Sequence, residues 1–100
     1  MFSSTNDSLN DALQGEVFLV DVRSPGEFSV GSVKGAINIP LDKLSTQLSK
    51  FKGKNTILVF CQSGNRSGQA KRILEQNGYK NVINGGSWLN VKQAISQLPN

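Results

Sequence analysis

The sequence of 100 residues contains no histidine and a single cysteine. The first absence removes the Ser-His-Asp triad and the Cys-His dyad, and the two together remove a Cys/His zinc site. One cysteine also forbids an internal disulfide. No apolar run approaches the roughly 20 residues that span a bilayer, so no membrane partner is expected. Charged residues make up only 18% of the chain against 37% hydrophobic, which is too little charge for a disordered chain and enough apolar material for one core. The length suits a single domain over residues 1–100, with a core over 8–98 and a flexible 1–7. Any covalent chemistry must come from a nucleophile activated without imidazole.

Eleven Lys and Arg against seven Asp and Glu leave a net charge of +4. That balance suits a small anionic ligand or an acidic partner. Nucleic acid is not expected, because the cations are scattered and the one cluster, Lys50, Lys52 and Lys54, surrounds Gly53 in a solvated loop. The segment Met1–Asp7 has neither a basic n-region nor an apolar h-region. A cytoplasmic location is expected for the chain as it stands, and a periplasmic one if a leader had been cleaved from it.

Strand and helix patterns alternate. Leu9, Ala12 and Leu13 keep helical spacing over 8–13. Val17–Val20 is apolar on both faces, as in a buried parallel strand. Ser24, Pro25 and Glu27 supply the N-cap, N1 and N3 of a short helix. A strand over 36–39 stops at Pro40, and Leu41, Leu44 and Leu48 resume helical spacing up to Phe51. Thr56–Phe60 is the clearest strand. A helix over 68–77 follows, with Gly78 as its C-cap, and then a strand over 81–83 broken by Asn84-Gly85-Gly86. Trp88, Val91, Ile95 and Leu98 form the apolar stripe of a last helix. The alternation predicts an α/β domain with a mainly parallel sheet and ligands beyond the carboxyl ends of its strands. Asp21 and Cys61 lie at two such ends.

Cys61-Gln62-Ser63-Gly64-Asn65-Arg66-Ser67 joins the best strand directly to a helix. A tight loop of small and polar residues turns successive N–H groups toward one point. Gly64 permits a positive φ, the following helix adds its dipole, and Arg66 adds a permanent charge. A thiol at the base of such a nest is driven toward thiolate. Against this stands the ordinary fate of cysteine as a buried core residue. Ser63 and Ser67 are candidate donors to a bound anion, and Ser67 equally a helix cap. Asp21 is expected to fix the chain through loop N–H groups, with Arg23 paired to Glu27. Trp88 is expected in the core.

Three stretches carry a family resemblance. Asp21-Val22-Arg23 with Glu27-Phe28, Gly31, Gly35-Ala36, Asn38 and Ile39-Pro40 is the first. Cys61–Ser67 is the second, and Gly78-Tyr79, Val82, Gly85-Gly86 and Trp88 the third. In this order they resemble the signatures of single-domain rhodaneses. The run Ser67–Lys71 is similar to the small phage-shock-type members in particular. The sequence departs from the family pattern at Ser32, where a histidine is frequent, and in a shortened third signature around Ile83-Asn84.

The resemblance implies a three-layer fold with a five-stranded parallel sheet between helices. It implies a sulfurtransferase of the thiosulfate type that needs no cofactor or metal. Cys61 would take sulfane sulfur from a small anionic donor as a persulfide and pass it to cyanide, a thiol or a protein acceptor. Arg66 would orient the donor's sulfonate, and Gln62, Ser63, Gly64, Asn65 and Ser67 would line the substrate loop, with Asp21, Arg23 and Glu27 in support. Two alternatives stay open: a cysteine phosphatase or arsenate reductase, whose loop has one more residue between Cys and Arg, and a non-catalytic module that binds a partner.

Overall fold

A computed structural model describes residues 4–98, with side chains from residue 9 onward. The chain opens with helix α1 (Ser4–Leu13), strand β1 (Phe18–Asp21), helix α2 (Pro25–Val30) and the short strand β2 (Ile37–Asn38). Two 3₁₀ turns, Leu41–Thr46 and Leu48–Phe51, lead to strand β3 (Ile57–Cys61) and helix α3 (Asn65–Gln76). Strand β4 (Val82–Ser87) and helix α4 (Trp88–Ser96) complete the order. No helix among the described residues is long and apolar enough to cross a membrane.

The strands form one parallel sheet in the order β2-β1-β3-β4. It has four strands among the described residues, where the resemblance implied five. The long apolar strand β3 is central and buried along its whole length. Alternation along it divides the core in two, because successive side chains leave opposite faces. Ile57, Val59 and Cys61 join Val20, Leu44, Phe51, Ala70 and Leu74 beneath α3 and the 3₁₀ turns. Leu58 and Phe60 join Leu9 and Val91 beneath α1 and α4, with Trp88 packed against them as the apolar stripe predicts.

Three local expectations are corrected. The spacing of Leu41, Leu44 and Leu48 is realised as 3₁₀ turns interrupted at Gln47, not as one α-helix. Helix α3 begins at Asn65, three residues before the expected start at Gly68. Asn84-Gly85-Gly86 does not end β4. Two steps along β3, Val59 to Cys61, are matched by three along β4, Asn84 to Ser87. The extra residue is absorbed as a bulge, for which Gly86 supplies a φ of +82°. Gly85 is required there for space. A Cβ on it would lie 2.7 Å from the side chains of both Leu58 and Val91.

Candidate active site

The site forms where β3 runs into α3. Cys61 ends the strand and keeps only 1% of its surface exposed. Gly64 is the N-cap of α3, with φ +101°. That left-handed turn brings the chain back over the cysteine. The Gly64 N–H donates to Cys61 Sγ at 2.9 Å and the Ser67 N–H at 3.4 Å. Ser67 is the third residue of α3, so its N–H lacks a partner within the helix. No side chain caps this helix, and the sulfur takes the place of a capping oxygen.

Two opposing influences act on the thiol. Burial is the largest and pushes its pKa up. The Ser67 hydroxyl, the Ser67 N–H and the N–H groups of Gly64 and Ser63 act the other way and together prevail. Cys61 therefore ionises below its ordinary value, although it is a core residue by burial.

Arg66 stands in the first turn of α3. Its two terminal nitrogens donate to the two carboxylate oxygens of Glu27 at 2.7 and 3.0 Å. Glu27 also completes the predicted capping box of α2: it accepts from the Ser24 N–H at 3.0 Å while its own N–H donates to Ser24 Oγ at 3.3 Å. One carboxylate thus starts α2 and aligns the guanidinium. The Arg66 hydrogen bonds, followed by that from Ser24, hold the Glu27 carboxyl down at about 2. The same contact pushes Arg66 further up.

The expected pairing of Arg23 with Glu27 is overturned. Arg23 folds back on Asp21, with its Nε and terminal nitrogen 3.0 and 2.8 Å from the carboxylate, and its N–H reaches the same group at 2.9 Å. Ser32 donates to Asp21 at 2.7 Å from the position where the family often carries histidine. Asp21 and Arg23 are both buried, and the guanidinium lies 4.9 Å from the Trp88 ring centroid. The competing partner Glu27 is already held by Arg66.

The loop residues divide by exposure. Gln62, Ser63 and Asn65 face solvent. Ser67 is fully buried and does not cap the helix. Its hydroxyl lies 3.4 Å from Cys61 Sγ and donates to Asn84 Oδ1 at 2.6 Å. Asn84, in none of the three motif stretches, also belongs to the site. It reaches from β4 into the loop, donating from Nδ2 to the Gly64 carbonyl at 3.1 Å and accepting the Gly86 N–H at 3.0 Å. The signal for it was an amide directly after two β-branched strand residues, which needs partners that a parallel core does not offer.

A parallel three-layer α/β domain with a cysteine at a strand–loop–helix junction, a C-x4-R spacing and backbone N–H groups around the sulfur defines a class of thiol-bearing domain. Residues 5–93 match the rhodanese-like domain family, and the chain belongs to it. The thiosulfate sulfurtransferase PspE of Escherichia coli K12 is 44% identical over 69 residues, covering 67% of this chain and 66% of that protein. A putative mitochondrial thiosulfate sulfurtransferase of Schizosaccharomyces pombe is 38% identical over 85 residues, covering 71% and 60%. The chain thus spans less than two thirds of the length of either curated relative, 66% of the first and 60% of the second. Among solved structures, a rhodanese with anions from E. coli superposes with a TM-score of 0.69 at 36% identity, over 75% of this chain and 91% of that one. The human single-domain sulfurtransferase TSTD1 gives 0.70 at 30% identity, over 84% and 88%.

Proposed function

We propose that the protein is a sulfurtransferase that carries sulfane sulfur on Cys61. The observation that carries this reading is the sulfur itself, held by the N–H groups of Gly64 and Ser67 at a helix N-terminus. These donors favour an anion on sulfur. With thiosulfate as donor, the Cys61 thiolate attacks the outer sulfur. A new S–S bond forms, the bond to the sulfonate sulfur breaks with its electron pair, and sulfite leaves. The Cys61 persulfide anion then gives its terminal sulfur to cyanide, as thiocyanate, or to a thiolate, as a new persulfide, and the Cys61 thiolate returns. The relatives named for thiosulfate sulfurtransfer support this donor class.

Arg66 serves as an oriented donor in this scheme. Glu27 takes an N–H from each terminal nitrogen, and the remaining N–H groups of the guanidinium are left for the sulfonate oxygens. The exposed loop residues Gln62, Ser63 and Asn65 would meet the incoming donor, and Asp21 with Arg23 braces the neighbouring strand end.

The test is intact mass after incubation with thiosulfate. A gain of one sulfur, removed by cyanide and absent in Cys61→Ser, is expected. Failure to gain sulfur combined with cleavage of p-nitrophenyl phosphate would identify a phosphatase instead. Failure of both would leave a binding module. Arg66→Ala is expected to weaken thiosulfate use about ten-fold or more, the scale of one charge-assisted contact, with a much smaller effect on unfolding. Equal losses in uptake and folding would contradict the assigned role.

A further inference from the structure

Ser67 has one hydroxyl proton and two claimants for it. One is Asn84 Oδ1 at 2.6 Å, the other Cys61 Sγ at 3.4 Å. The orientation of the Asn84 amide follows from its other partners. The Gly64 carbonyl can only accept, so it faces Nδ2; the Gly86 N–H can only donate, so it faces Oδ1. Oδ1 is therefore the atom beside Ser67, and between these two oxygens only Ser67 can donate. While Cys61 is a thiol, its S–H is free to donate to the Ser67 oxygen, whose own proton is held by Asn84. The chain then runs from sulfur through Ser67 to Asn84. Once Cys61 is a thiolate, the Ser67 proton can reach sulfur only by leaving Asn84.

We propose that Asn84 is a positioning residue that competes with Cys61 for the Ser67 hydroxyl proton and so sets how readily the thiol ionises. Its short O–H···O bond is the stronger of the two contacts with a neutral thiol, because sulfur is a weak acceptor. The bond opposes rotation of the hydroxyl toward the thiolate. A nucleophile whose charge is less fully stabilised keeps more of its intrinsic reactivity, since thiolate nucleophilicity falls as thiol pKa falls. The second arm of Asn84, on the Gly64 carbonyl, steadies the turn that delivers the Gly64 N–H.

Other charges act on the same sulfur. Arg66 acts from α3 with its partner Glu27 from α2, and Asp21 with Arg23 stand at the end of β1. The 3₁₀ turn packed against α3 carries the exposed Asp42 and Lys43. Strand β4 brings no titratable side chain. None of these contacts Ser67 or Asn84 through a hydrogen bond among the described residues, so they remain constant across the test.

The inference extends the reading of Cys61 as a nucleophile, but its test needs no sulfur transfer. Thiolate absorbance is titrated in the wild type, Asn84→Ala, Ser67→Ala and the double variant. The two single changes are expected to couple. The midpoint shift from Asn84→Ala should lie about one pH unit lower with Ser67 present than with Ser67→Ala, the scale of one hydrogen bond to a charged group. Coupling of zero or opposite sign overturns the proposal. Should Asn84→Ala fail to fold, the Asn84 side-chain carbonyl ¹³C resonance reports on the unaltered residue. Its shift should follow the Cys61 midpoint in the wild type and lose most of that response in Ser67→Ala; an equal response in both overturns the proposal. A protein that takes up no sulfur yet shows the coupling would refute the sulfurtransferase reading alone.

Discussion

At the scale of single residues, Glu27 joins two structures that sequence spacing treats as separate. Its position at N3 of α2 is set by the capping box with Ser24, and from there its carboxylate receives Arg66. The pH dependence of this contact follows from its sign. Glu27 titrates at about 2 in the folded protein against an ordinary 4.5. The unfolded chain therefore binds the proton more tightly between those values. The stabilisation is fully present above about pH 4.5 and is lost as the pH falls toward 2. Denaturant unfolding of the wild type and Glu27→Gln should differ at neutral pH and converge near pH 2, within the range where both remain folded at zero denaturant. A gap that stays constant across that window contradicts the ion pair. The capping box was legible in Ser24-Pro25-Gly26-Glu27, because it is local. The Glu27–Arg66 pair was not, since it joins residues 39 apart in the chain. Arg23 pairs with Asp21 rather than the expected Glu27 for the complementary reason: the turn after β1 places the carboxylate two residues back within reach.

At the scale of elements, strand β4 shows where composition misleads. Asn84-Gly85-Gly86 has the residues of a turn, yet the strand continues through them to Ser87. Gly85 is there because Leu58 and Val91 occupy the space above it, and Gly86 because the bulge needs its backbone. Such reasons lie in the neighbouring strand and helix and leave no local trace. Strand β3 was legible because its burial on both faces demands an unbroken apolar run. Gly85→Ala tests the packing account. A methyl group 2.7 Å from two buried side chains should cost about 1–3 kcal/mol, the range for overpacking, and be seen as an earlier urea midpoint with an unchanged slope. A variant as stable as the wild type would mean that Leu58 and Val91 have room to withdraw. The same logic accounts for α3. A serine in a helix's first turn reads as a cap, but here the capping acceptor is a cysteine sulfur on the preceding strand.

At the scale of the whole molecule, the question is how far its net charge of +4 reaches. Arg66 is neutralised by Glu27 and Arg23 by Asp21. In the proposed reaction, attraction of a dianionic donor at a distance would therefore come from the scattered lysines, and close attraction from the loop N–H groups and the remaining Arg66 donors. The molecule measures 36 × 31 × 25 Å. At 0.01 M salt the Debye length of about 30 Å covers it, whereas at 0.1 M about 10 Å isolates the remote lysines from the site. The second-order rate of sulfur loading from thiosulfate should fall several-fold between these salt concentrations, then level off as only the dipoles of the nest remain. Alkylation by neutral iodoacetamide, measured at a pH where Cys61 is fully ionised, should change little over the same range. Parallel loss in both rates would point to a salt effect on the loop itself. A thiosulfate rate indifferent to salt would mean that the donor is drawn in entirely by the short-range nest around Cys61.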